Sequence, residues 1–180
     1  GDLDGDGIPE IVFNSTHSGW LIGNPDFPVY VYLGNEENEY STDRRLDLPI
    51  GHTNVYALAD LDQSGYPDLV CTTKNGMRIF NGSSKGLDPA QYYDLPKRNP
   101  RLYNVLVADL NHDGWLDLVG IPMSLDYELE TLAHSSVIYY GSPDGFTFKN
   151  IQPLPTSCRG AGILADVNRD GWIDIICPDI

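Results

Sequence analysis

An all-β chain made of repeated four-stranded antiparallel units is what this sequence predicts, on three observations. An acidic nine-residue motif recurs four times, a short β-rich run follows every copy, and no stretch has the spacing of an amphipathic helix.

The motif reads Asp-Leu-Asp-Gly-Asp-Gly-Ile-Pro-Glu at 2–10 and Asp-Leu-Asp-Gln-Ser-Gly-Tyr-Pro-Asp at 60–68. It returns as Asp-Leu-Asn-His-Asp-Gly-Trp-Leu-Asp at 109–117 and Asp-Val-Asn-Arg-Asp-Gly-Trp-Ile-Asp at 166–174, at spacings of 58, 49 and 57 residues. Acidic turns that only solvate hairpins would explain Asp and Gly in general, but not their fixed alternation.

Each unit places a strand A before the motif, as in Asn54–Ala59, Asn104–Ala108 and Gly162–Ala165. Strand B leaves the motif as Ile11–Phe13, Leu69–Cys71, Leu118–Gly120 and Ile175–Cys177. Strand C is an aromatic-containing run that ends in Gly34, Gly82 or Gly141, and strand D lies near Arg45–Pro49, Tyr92–Pro96 and Phe146–Leu154. Strands of this composition, bounded by Gly, Pro and Asn, in units of about 50 to 60 residues are the pattern of a β-propeller blade; a β-sandwich is the main rival. The prediction is a single propeller segment over 1–180, with blades at about 1–50 (partial), 51–99, 100–157 and 158–180 (partial). Propellers close with about four to eight blades, so either a longer chain or neighbouring copies of this one would complete the ring. The sequence opens inside a motif, with neither Met nor a signal region, so a longer precursor is expected.

The alternation has a chemical reading. Ca²⁺ takes six to eight oxygens at about 2.3–2.6 Å, and alternate residues of a tight loop turn their donors inward while Gly permits the turn. Side chains at motif positions 1, 3, 5 and 9 and the backbone carbonyl of position 7 are the candidate ligands. These are Asp2, Asp4, Asp6, Ile8 and Glu10 in loop 1, and Asp60, Asp62, Ser64, Tyr66 and Asp68 in loop 2. Loop 3 offers Asp109, Asn111, Asp113, Trp115 and Asp117, and loop 4 offers Asp166, Asn168, Asp170, Trp172 and Asp174. Up to four Ca²⁺ ions are expected, one per loop. An EF-hand is excluded, because its position 12 requires a bidentate Glu and here holds Phe13, Cys71, Gly120 and Cys177. Thirteen of the 26 acidic residues occupy ligand positions, and four divalent cations would take the formal charge from −15 to −7. Cation binding is therefore expected to support stability. Ser64 replaces a carboxylate, so loop 2 should bind most weakly.

These motifs and the Gly34, Gly82 and Gly141 strand ends, with Ser142-Pro143-Asp144-Gly145-Phe146, resemble the FG-GAP and VCBS repeats of integrin α-chain propellers, some propeller lectins and secreted microbial proteins. The Phe-Gly and Gly-Ala-Pro words of the integrin repeats are not clearly present, which favours the VCBS-like branch. The resemblance implies a secreted or cell-surface, calcium-binding propeller used for adhesion, protein interaction or extracellular assembly. A carbohydrate-binding lectin, or the accessory propeller of a secreted carbohydrate-active enzyme, are the alternatives. It also implies a protein or glycan ligand on the face opposite the metal loops.

That opposite face carries the B–C connections, and two of these are about ten residues longer than the third: 32 residues separate the first loop Asp from the strand C Gly in repeats 1 and 3, but 22 in repeat 2. His17, Trp20, Asp26 and Phe27 in one insertion, and Met123, Asp126, Tyr127, Glu128 and His134 in the other, are candidates for recognition or for capping the blade. Trp115 and Trp172 share one repeat position and are expected to serve blade packing, not to act as ligand platforms. His112 is expected to face solvent. Lys97, Arg98 and Arg101 read as a solvated turn.

The net charge of −15 opposes nucleic-acid binding, and no apolar run of 18 residues could span a membrane. The words for a nucleophile elbow, a zinc protease, a P-loop and a dinucleotide site are all missing, so the chain is not expected to be an enzyme. Cys71 and Cys177 hold equivalent strand positions in different repeats and are expected to lie apart, which leaves Cys158 as the better partner if a bridge forms. Asn14 and Asn81 begin Asn-X-Ser/Thr sequons and are candidate glycosylation sites.

Overall fold

The computed structural model describes residues 1–13, 28–50, 53, 55–73, 75–96, 102–122, 135–155 and 160–178. Among these, thirteen strands form four antiparallel sheets, with two single-turn 3-10 helices at Thr42–Arg44 and Phe148–Asn150. Strands β1 (Ile11–Phe13), β2 (Val29–Tyr32) and β3 (Arg45–Leu48) make the first sheet. The second runs β4 (Tyr56–Ala59), β5 (Asp68–Thr73), β6 (Gly76–Phe80), β7 (Tyr92–Asp94) in that order. The third repeats the order with β8 (Leu102–Ala108), β9 (Asp117–Pro122), β10 (Val137–Tyr139) and β11 (Ile151–Pro153), and β12 (Ile163–Ala165) pairs with β13 (Asp174–Ile176) in the last. The fold is therefore a β-propeller segment with two complete and two partial blades, as expected from the strand pattern.

Register is carried from blade to blade. Leu69 opposes Leu58 and Phe80, and Leu118 opposes Val107 and Tyr139. Since side chains alternate across a strand, Leu69 and Cys71 face the first sheet while Val70 faces the third. Leu118 likewise packs toward the second sheet and Val119 toward the fourth. The hydrophobic cores thus lie between sheets, in three successive seams, rather than inside any one blade. Ile176 is 38% exposed, whereas its counterparts Val70 and Val119 are fully buried, and Ile163 beside it is 60% exposed. No further sheet covers that face among the described residues.

Glycine ends strand C for a steric reason. A Cβ on Gly82 would stand 2.3 Å from the Pro67 carbonyl oxygen, and one on Gly141 would stand 2.3 Å from that of Leu116. Strand C approaches the acidic loop so closely that only glycine fits. Cys71 is buried with a free thiol, pushed well above its ordinary pKa by desolvation. Cys177 is disulfide-bonded, so the two equivalent cysteines are not partners.

The long B–C insertions fall at 14–27 and 123–134, outside the described residues. This takes in His17, Trp20, Asp26, Phe27, Met123, Asp126, Tyr127, Glu128 and His134, together with the sequon at Asn14. Lys97, Arg98 and Arg101 also lie outside.

Candidate metal centres

Each acidic loop joins strand A to strand B, except that loop 1 leads directly into β1. Its local geometry follows from short polar side chains that fold back onto backbone amides. At position 1 both carboxylate oxygens accept: Asp60 takes the Ser64 and Gly65 amides at 2.9 Å each, and Asp166 takes those of Asp170 and Gly171 at 3.1 and 2.9 Å. Asp109 does the same with Asp113 and Gly114, while Asp2 accepts from Gly5 and Gly7. Position 3 accepts from the amide two residues on, as in Asp4 with Asp6 at 3.1 Å and Asn111 with Asp113 at 3.0 Å. Position 5 repeats this toward position 7, where Asp6, Asp113 and Asp170 accept at 2.7–2.9 Å. Ser64 makes the weaker version, accepting from Tyr66 at 3.4 Å.

Position 9 acts as a clasp. One carboxylate oxygen of Glu10, Asp68, Asp117 and Asp174 accepts the position 2 amide, from Leu3, Leu61, Leu110 and Val167, at 2.6–3.0 Å. The other oxygen of Asp68 and Asp117 accepts the amide of the strand C glycine, Gly82 at 2.8 Å and Gly141 at 2.9 Å. Sequence reasoning assigned position 9 as a ligand and missed this second duty. The signal available was the glycine that closes strand C in each repeat. Burial raises the carboxyl pKa of Glu10, Asp68 and Asp117, and the neighbouring acids of each loop raise it further.

The acids converge. Carboxylate oxygens of Asp2, Asp4 and Glu10 all lie within 4.8 Å of one another, as do those of Asp60, Asp62 and Asp68. Loops 3 and 4 hold Asn at position 3 and share the same hydrogen-bond scheme. In them the Asn amide donates to the position 5 carboxylate at 2.9 Å.

Other candidates land differently. His112 is exposed, yet its ring lies parallel to that of Trp172, with centroids 4.4 Å apart and planes at 12°. Trp172 therefore packs on the neighbouring loop, not in a blade core. Asn81 directs its side-chain nitrogen, the atom a glycan would occupy, to Asp62 at 3.1 Å and Asp68 at 3.4 Å. Beside loop 3 a polar cleft of about 450 Å³ is lined by Asn111, Asp113, Tyr140, Lys149 and Gln152 among others. In it the Tyr140 hydroxyl donates to Gln152 Oε1 at 2.9 Å.

Comparison with known proteins agrees with this geometry. The profile of the FG-GAP-like repeat matches residues 2–71 and 60–120, which takes in the first three loops. Integrin alpha-7 of Mus musculus is 36% identical over 81 residues, amounting to 41% of this chain and 7% of that protein. Among solved structures, a lectin of Agrocybe aegerita described for specific recognition of non-reducing terminal N-acetylglucosamine superposes with a TM-score of 0.54 at 16% identity. That superposition covers 93% of this chain and 46% of the lectin chain. The chain thus spans less than half the length of either protein, and the likeness to the lectin is one of fold. With the profile covering well over half of its residues, the chain belongs to the FG-GAP-like repeat family.

Proposed function

We propose that this chain is a calcium-stabilised, non-catalytic propeller of the VCBS-like branch that presents surfaces for adhesion, protein interaction or assembly outside the cell. The convergence of three carboxylates in loop 1 and three in loop 2 carries the reading. The donors are all hard oxygens, and Glu10 and Asp68 are buried acids whose ionised form is disfavoured without a counter-charge. A divalent hard cation suits that donor set better than a soft metal does. When bound, it supplies positive charge that holds these carboxylates ionised. The chain's own residues then do the rest: position 1 holds the turn, position 9 ties loops 2 and 3 to strand C, and the seams set one blade against the next.

An extracellular setting is supported by the disulfide at Cys177 and by the integrin relative. Among the described residues no helix is long and apolar enough to cross a membrane. The uncovered apolar face at Ile163 and Ile176 supports the packing of a further sheet, such as one from a neighbouring copy. Isothermal calorimetry with calcium, paired with thermal unfolding before and after chelation, tests the central claim. Saturable calcium uptake and a lower unfolding temperature after chelation are expected; no heat of binding and an unchanged unfolding temperature would reject it.

The cleft beside loop 3 favours a second reading, in which the ligand is a carbohydrate. Its amides, carboxylate, ammonium and half-buried aromatic ring match what a sugar's hydroxyls and apolar face require. This places the ligand on the metal-loop side instead of the opposite face. Saturation-transfer NMR with N-acetylglucosamine and other simple methyl glycosides tests it. Loss of the transfer signal in Gln152→Ala is expected, and an unchanged signal would locate the sugar elsewhere.

A further inference from the structure

Position 4 of the acidic loops contributes no candidate ligand, yet its backbone geometry recurs in all four loops. Gly5, Gln63, His112 and Arg169 all adopt left-handed backbone, with φ of 78°, 59°, 58° and 62°. For the three non-glycine residues this conformation carries a steric penalty, so a repeated contact should accompany it. That contact runs to the next loop in the chain. A Cβ on Gly5 would stand 3.0 Å from Tyr66 Cε1, so the glycine lies directly against the position 7 ring of loop 2. Gln63 Nε2 donates to the Gly114 carbonyl, position 6 of loop 3, at 2.7 Å. His112 stacks on Trp172, position 7 of loop 4, at 4.4 Å between centroids.

Three successive seams therefore use one arrangement, in which position 4 of a loop touches position 6 or 7 of the loop that follows. Those two positions flank the peptide that leads into position 7, whose own carbonyl, at Tyr66, Trp115 and Trp172, is expected to face the cation. A loop whose peptide is already anchored from outside loses less conformational freedom when it closes on an ion. We propose, resting on the calcium reading above, that position 4 positions the next loop's cation site: Gln63 serves loop 3 and His112 serves loop 4. Cation affinity is then coupled in chain order along the acidic edge of the propeller. The coupling is directional with respect to mutation, because the residue changed sits in one loop and the site affected lies in the next.

The test is a calcium titration of the full chain followed by the indole N–H resonances of Trp115 and Trp172, which give separate midpoints for loops 3 and 4. Asn tolerates left-handed backbone, so Gln63→Asn and His112→Asn remove the contact while keeping the turn. In Gln63→Asn the Trp115 midpoint should weaken by about three- to tenfold and the Trp172 midpoint should hold, as loss of one modest anchoring contact predicts. In His112→Asn the Trp172 midpoint should weaken and the Trp115 midpoint should hold, and His112→Tyr, which retains a ring for stacking, should restore it. Unchanged midpoints in both Asn variants, or a shift confined to the mutated residue's own loop, would overturn the proposal while leaving the calcium reading intact. If neither indole of the unmodified chain responds to calcium, the calcium reading itself falls and takes this one with it.

Discussion

The Tyr56 hydroxyl donates to the Val12 carbonyl at 2.6 Å across 44 residues of sequence, joining strand β4 of the second sheet to strand β1 of the first. Both residues border the first seam, where Tyr56 also packs against the cluster containing Val12, Leu69 and Phe80. Tyr56→Phe keeps the ring and removes only the hydroxyl. It should lower stability by about 1 kcal/mol, read as a lower urea midpoint with an unchanged slope.

The strand C glycines should differ in tolerance. On Gly82 a methyl group meets the Pro67 backbone at 2.3 and 2.9 Å, which cannot move without displacing the loop. On Gly34 the nearest atom is Ile8 Cγ2 at 2.5 Å, the end of a side chain that can rotate. Gly82→Ala is expected to cost about 3 kcal/mol or more and Gly34→Ala about 1 kcal/mol, following the usual range for overpacking. Urea unfolding of the two variants side by side measures the difference.

Loop 2 offers a gain-of-function change. Ser64 accepts from the Tyr66 amide at 3.4 Å, where Asp6, Asp113 and Asp170 accept at 2.7–2.9 Å in their own loops. Ser64→Asp adds a carboxylate at a site already framed by Asp60, Asp62 and Asp68. Calcium affinity at loop 2 should rise on the order of tenfold, read by terbium luminescence sensitised through Tyr66. In the unmodified chain, loop 2 should be the first to empty as calcium is withdrawn.

The buried acids set opposite pH dependences with and without calcium. Glu10, Asp68 and Asp117 have folded carboxyl pKa values raised above their ordinary 4.5, 3.8 and 3.8, chiefly by burial. Between the unfolded and the raised folded value the native state binds more protons, so these groups favour folding most at low pH, and that contribution is lost as pH rises through the folded pKa. Calcium binds the ionised form, so its contribution grows over the same interval. Scanning calorimetry of calcium-free protein from about pH 4 to pH 7 should show these groups lowering the unfolding temperature, and saturating calcium should reverse the slope.

The strand order and the loops were readable because both follow from local rules. Alternating Asp and Asn fold onto amides two residues away, as Asp6 does with Ile8, and that pairing needs no knowledge of the rest of the chain. The glycine that closes strand C was visible as a repeated letter, although its cause, the Pro67 and Leu116 carbonyls, was not. Contacts between repeats were the part that sequence could not supply. His112 and Trp172 are 60 positions apart, and nothing in either loop alone indicates that their rings stack. The double duty of Asp68 was hidden for the same reason, since its second partner, Gly82, arrives from a different strand.

The three seams make stability a property shared by neighbours. Val70, Met77 and Ile79 share one buried cluster with Leu102, Val105, Leu118, Val137 and Tyr139 of the following unit. A blade excised alone would present both flanks to water, so copies can be added or removed by evolution only where the residues at the new junction still interlock. Damage at one junction should likewise loosen two units together, and amide exchange would spread outward from it in steps one blade wide.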